Sequence, residues 1–63
     1  MSIFDLRVKS GLSAADVCRE LDKLGVHISN ETLYKAERNG VKKIELAKGL
    51  ARVYGVEIKE IIS

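Results

Sequence analysis

A chain of 63 residues has room for one domain around one core, and at that size it buries only roughly 60% of the surface its unfolded form exposes. With 46% apolar and 32% charged residues the composition is that of a globular protein, which excludes a disordered tail and a membrane-embedded chain. The net charge of +2 alone points to no partner class, but its distribution is uneven.

Residues 1–34 carry four basic and five acidic groups, residues 35–52 six basic and two acidic, and residues 53–63 one basic and two acidic, so the local balances are −1, +4 and −1. The central basic block consists of Lys35, Arg38, Lys42, Lys43, Lys48 and Arg52. It fits a polyanionic partner, and equally a solvated helix face. The chain has no proline, no tryptophan, one phenylalanine and two tyrosines, which suits helices better than a sandwich. Cys18 is the only cysteine, so no intramolecular disulfide can form and a reducing compartment is expected. The opening MSIFDLRVKS lacks the apolar segment of a secretory signal, and no run approaches the ~20 apolar residues of a membrane span. The expected location is the cytoplasm, with no membrane partner.

Glycines at 11, 25, 40 and 55 punctuate the chain about every fifteen residues, where helix ends favour a left-handed backbone. Gly49 falls outside that series. The spacing predicts five helices in one all-α domain, over about 2–9, 14–24, 30–39, 43–54 and 57–62. The first points Ile3 and Leu6 inward. Ser13 caps the second, with Asp16 three positions on resembling a capping box, and Val17, Leu21 and Leu24 form its apolar stripe with Cys18 beside it. The third opens at Ser29 or Asn30, stops at Asn39-Gly40, and buries Leu33 and Ala36. The fourth turns Ile44, Ala47, Leu50, Ala51 and Tyr54 inward, with Leu46 and Val53. The fifth points Ile58 and Ile61 back at the core. Helices this short are marginal alone, so packing must hold them.

On the third helix, residues 31, 34, 35 and 38 form a single outward polar stripe, with Asn30 at its start. Its chemistry suits a base edge: Lys35 can donate to guanine O6 and N7, Asn30 can pair bidentately with adenine, and Glu31 can accept from cytosine N4 while repelling phosphates. Tyr34 offers a hydroxyl to phosphate or a ring edge to a thymine methyl. The plain alternative is that every surface helix has a polar face. One histidine (His27), one cysteine and no clustered carboxylates make neither a metal site nor a nucleophile-base pair, so no cofactor, metal or enzymatic activity is expected.

The ordered set Leu6-Arg7, Gly11-Leu12-Ser13, Val17-Cys18, Thr32-Leu33, Ala36-Glu37, Leu50-Ala51 and Gly55-Val56 resembles the lambda-repressor-like family, the Cro-type helix-turn-helix regulators of phages and bacteria. The resemblance runs from Ile3 to Ile62. It implies a helix-turn-helix made by the second and third helices, with the third entering the major groove of double-stranded operator DNA. Carried over by position, Asn30, Glu31, Tyr34 and Lys35 would meet base edges. Arg38, Asn39, Lys42 and Lys43 would meet phosphates. Arg7 and Glu37 match a structural ion pair between the first and third helices, and Cys18 matches the small residue where the second and third helices approach. Family members often dimerise near the chain end, which makes Tyr54, Ile61 and Ile62 candidate homodimer contacts. The implied function is transcriptional repression by occupying promoter DNA. Three positions depart from the pattern: Ala14 stands where a glutamine is usual, the connection LDKLGVHISNE is about five residues long beyond the usual tight turn, and the loop after Gly40 is short and lacks a proline. The rival reading is a protein-interaction module that binds a partner repressor instead of DNA.

Overall fold

Serine caps set where the first three helices begin, while the fourth starts after Lys43 with no side-chain cap. In the computed structural model, which describes residues 2–62, α1 spans Ile3–Ser10, α2 Ala14–Lys23, α3 Asn30–Asn39 and α4 Ile44–Tyr54. The Ser2 hydroxyl accepts the Asp5 N–H at 3.1 Å, which makes Ser2 the cap and Ile3 the first helical residue. At α2 the Ser13 hydroxyl accepts the Asp16 N–H at 3.1 Å, and the Asp16 carboxylate accepts the Ser13 N–H at 3.0 Å, a reciprocal capping box. The Ser13 backbone N–H, then its hydroxyl, hold the Asp16 carboxyl below its ordinary value. At α3 the Ser29 hydroxyl accepts the Thr32 N–H at 3.2 Å, so the helix opens at Asn30. Gly11 and Gly55 end α1 and α4 with φ of 71° and 66°, a conformation that costs glycine nothing.

The described residues are all-helical, and α4 is their hub. Both α1 and α2 pack on it, and α2 also packs on α3. One contiguous core results, led by Val17, Leu21, Leu33, Val41, Ala47 and Leu50. At the crossing of α2 and α4, Gly49 takes the place of a side chain. A Cβ built there would lie 2.7 Å from Leu21 Cδ2 and 3.3 Å from Val26 Cγ2. The glycine that fell outside the turn series therefore lies where α4 packs tightly against Leu21 of α2. No described helix is long and apolar enough to cross a membrane.

Four expectations need correction. The fifth helix is a single 3-10 turn at Ile58–Glu60, followed by a parallel bridge between Ile62 and Val41. The turn is closed by the Glu60 N–H donating to the Glu57 carbonyl at 3.0 Å and the Ile61 N–H to the Ile58 carbonyl at 2.9 Å, the three-residue spacing of a 3-10 helix. Ile44 does not face the core but is 51% exposed, whereas Val41 and Leu46 on either side of it are buried. Leu24 is the residue that ends α2, and it too is exposed. Ile61 is only 4% exposed and belongs to the core, so it is not available as a dimer contact. Gly40, Val41 and the bridge to Ile62 form the floor of the short loop before α4.

Candidate functional site

The packing of α3 decides what its polar face can touch. Leu33 and Ala36 are buried, and Asn30, Glu31, Tyr34, Lys35, Arg38 and Asn39 are all exposed. Lys42 and Lys43 are exposed just beyond, where the chain leaves α3 and enters α4. Lys35, Asn39, Lys42 and Lys43 line one open depression of about 430 Å³ between α3, the α2–α3 connection and the start of α4. Glu45 is the acidic residue on its wall, against three lysines. Arg38 lies elsewhere. It borders the depressions toward the chain end and toward α1, in company with Lys59 and Glu60 or with Phe4 and Tyr34. The basic residues therefore split into a lysine group on one side of α3 and Arg38 on the other.

The long connection from Leu24 to Ser29 is anchored to the body of the domain. Val26 and Ile28 pack against the core, and the Val26 N–H donates to the Leu21 carbonyl at 2.9 Å. His27 stays exposed and pairs with Asp22. The extra residues are thus held against the body of the domain, and they build one wall of the lysine-lined depression. Ala14, the first residue of α2, is buried and presents nothing outward.

Arg7 and Glu37 tie α1 to α3. Arg7 Nε donates to Glu37 Oε2 at 2.6 Å and Nη2 to Oε1 at 3.2 Å, with Nη1 reaching the Leu12 carbonyl at 3.4 Å. Their side chains are 13% and 7% exposed, so this two-pronged pair is largely withdrawn from water. The hydrogen bond that Arg7 donates to Glu37 is the leading cause that raises its guanidinium above its ordinary value, so it stays charged at any working pH. The guanidinium carbon also lies 5.5 Å from the Phe4 ring centre and 5.9 Å from that of Tyr34. Tyr34 is therefore drawn against α1 as it looks outward, and it leans on a cation–π contact. No role for Phe4 follows from the family pattern. Its spacing three residues before Arg7 on one helix was the available signal.

Tyr54 faces inward beside this pair. Its hydroxyl is buried and finds no hydrogen-bond partner, and burial, then the charge of Glu37, push its pKa up to about 12. A contact across a dimer interface would leave that hydroxyl outside, so Ile62, at 41% exposed, is the member of the candidate trio that remains open to a second chain. Removing the orphan hydroxyl should help the fold. Tyr54→Phe is expected to be neutral or stabilising by ~1 kcal/mol in urea melts at neutral pH. Because the folded pKa is raised from 10.0 to about 12, the wild type keeps its full stability below pH 10 and loses part of it as pH climbs toward 12. The loss should be on the order of 1–2 kcal/mol, and Tyr54→Phe should not show it.

Burial likewise raises the Cys18 thiol, which sits half-buried between α2 and the core. Among the described residues no three side chains of histidine, cysteine, aspartate or glutamate gather in a way that could hold a metal ion.

No family model, curated protein or solved structure matches the chain. What this surface does must be read from its own chemistry.

Proposed function

We propose that this protein is a sequence-specific double-stranded DNA-binding regulator of the lambda-repressor-like type, with α2 and α3 as its helix-turn-helix and α3 as the element that enters the major groove. The observation that carries the reading is the grouping of Lys35, Asn39, Lys42 and Lys43 around one exposed depression beside the polar face of α3. Asn30, Glu31, Tyr34 and Lys35 would meet base edges, and Arg38, Asn39, Lys42 and Lys43 the phosphates on either side. The part-buried Arg7–Glu37 pair supports this use of α3, since a reading helix must be held rigidly by the rest of the domain. A homodimer on two half-sites one helical turn (~34 Å) apart would fit, with Ile62 at or near the two-fold axis and repression following from occupancy of promoter DNA.

Fluorescence anisotropy with duplex DNA from upstream of the coding sequence tests the reading. Three cationic phosphate contacts per protomer, from Arg38, Lys42 and Lys43, correspond to a log–log salt slope of about −2.7, or roughly a 40-fold loss of affinity between about 50 and 200 mM salt. Lys42→Ala with Lys43→Ala should flatten that slope by about two and weaken all sequences alike. Equal, weak binding to specific and scrambled duplexes, unchanged in the double variant, would end the DNA reading.

One observation favours a second reading, docking of a partner repressor protein. Phe4 and Val8, one turn apart on α1, are both exposed, and Phe4 shares an apolar depression with Tyr34. Binding to an immobilised partner repressor, lost in Phe4→Ser with Val8→Ser, would support it.

A further inference from the structure

The first two turns of α3 hold an acceptor and a donor side by side. Glu31 Oε1 and Lys35 Nζ lie 3.9 Å apart, on side chains that are 79% and 61% exposed. Two such mobile side chains in water gain little from each other, so the pair adds only the small support of an ordinary helix pair. Their spacing, four residues on one helix face, brings both heads to the same point beyond the helix surface. The first turn of α3 carries no other exposed charge, because Asn30 and Thr32 are neutral.

A base pair offers the matching pattern. In the major groove a C·G pair presents the cytosine N4 amino donor next to the guanine O6 acceptor, with N7 as a second acceptor beyond. Those two groups are hydrogen-bonded to each other and so lie about 3 Å apart, close to the spacing of the two side-chain heads. A carboxylate accepts from N4 while an ammonium donates to O6 and N7, so a C·G pair can satisfy three contacts. An A·T pair sets its adenine N6 donor beside the single thymine O4 acceptor, with a methyl group where a third contact would fall. A bare phosphate satisfies the lysine and repels the carboxylate.

Resting on the DNA reading above, we infer that Glu31 and Lys35 act together as a two-residue reader of one C·G base pair in each half-site. Glu31 is then the specificity-determining residue. In free protein it lies 3.9 Å from the Lys35 head, and at a wrong site it stays unpaired against the base and close to phosphate charge. It should lower affinity for non-cognate DNA more than for the cognate site.

Selection of bound duplexes from a randomised pool, at one fixed salt concentration, tests this with the wild type and with Glu31→Gln and Lys35→Ala. Both side chains are exposed, so far-UV circular dichroism should be unchanged in the variants. The wild type should enrich duplexes that share a fixed C·G pair. Exchanging that pair for A·T in the selected duplex should weaken binding roughly tenfold or more. Glu31→Gln should move the preference at that position toward A·T, because a glutamine pairs bidentately with adenine N6 and N7, and it should raise affinity for unselected duplexes. If the wild type selects a sequence without a fixed C·G pair, or if Glu31→Gln leaves the preference where it was, the two-residue reader is wrong while DNA binding stands. If no duplex is enriched by the wild type, the DNA reading falls and takes this inference with it.

Discussion

Arg7→Ala is expected to unfold a large part of the population at room temperature. The substitution strands the Glu37 carboxylate, which is only 7% exposed and loses both its donors at once. Removing one partner of a withdrawn ion pair costs about 3–5 kcal/mol. A domain of 63 residues has a total stability of only about 3–9 kcal/mol, so most of the margin disappears. The loss of the guanidinium between Phe4 and Tyr34 adds to it and frees the Tyr34 ring. Arg7→Lys should recover part of the deficit, because an ammonium can meet one carboxylate oxygen but cannot form the two-pronged contact. Arg7→Met with Glu37→Leu should come back close to wild-type stability, since an apolar pair of similar volume leaves no stranded charge. Urea melts of the four proteins check the series. A single Arg7→Ala variant as stable as the wild type would show that the pair contributes nothing beyond what water supplies.

The second large effect is expected at Gly49, where the usual rule for glycine in a helix reverses. Glycine to alanine inside a helix normally stabilises by about 1 kcal/mol. Here the new methyl would lie 2.7 Å from Leu21 Cδ2, and Leu21 is itself completely buried between α2 and α4. The leucine has nowhere to swing, so overpacking of about 1–3 kcal/mol outweighs the propensity gain. Gly49→Ala should therefore destabilise, and Gly49→Val, which adds two further carbons against Val26, should prevent folding. The sign depends on Leu21. Leu21→Ala alone should cost about 2–5 kcal/mol through the cavity it leaves. In that background Gly49→Ala should turn stabilising, because only the propensity term remains. Thermal melts of the double-mutant cycle read the coupling directly. Additive effects would mean that α2 and α4 do not meet closely at this glycine.

These two sites differ in how they could have been foreseen. Arg7 and Glu37 are 30 positions apart, and no helical periodicity joins them. Only the resemblance to a known pattern singled them out. Gly49 was visible as a glycine outside the turn series, but the residue opposite it belongs to another helix, so nothing local revealed its role. Phe4 and Val41 were missed for the same reason. Phe4 completes a stack with Tyr34 of α3 around Arg7, and Val41 is drawn into the core by the bridge to Ile62.

The polar face of α3 was legible because helical periodicity is short-range: Leu33 and Ala36 inward leave 31, 34, 35 and 38 outward whatever the partner elements are. How its charges divide was not legible. Lys35 and Arg38 share a stripe in sequence, yet Lys35 borders the depression with Lys42 and Lys43 while Arg38 borders those on the other side. That partition depends on where α1 and the loop before α4 lie against α3.

By itself the sequence determined what depends on neighbours a few residues away. Those features are the all-helical class, the starts at Ser13 and Ser29, the stops at Gly11 and Gly55, the buried stripe of α3, and Val17 and Leu21 of the α2 stripe. Caps, turns and periodicity act within one or two helical turns, so they can be read in line. The tertiary structure alone decided the exposure of Ile44 and Leu24 and the orphaned Tyr54 hydroxyl. It also decided the reduction of the last helix to one turn and the close approach at Gly49. Each of those depends on which distant side chain reaches a shared volume first, and in a core this small one valine or one glycine is enough to change the outcome.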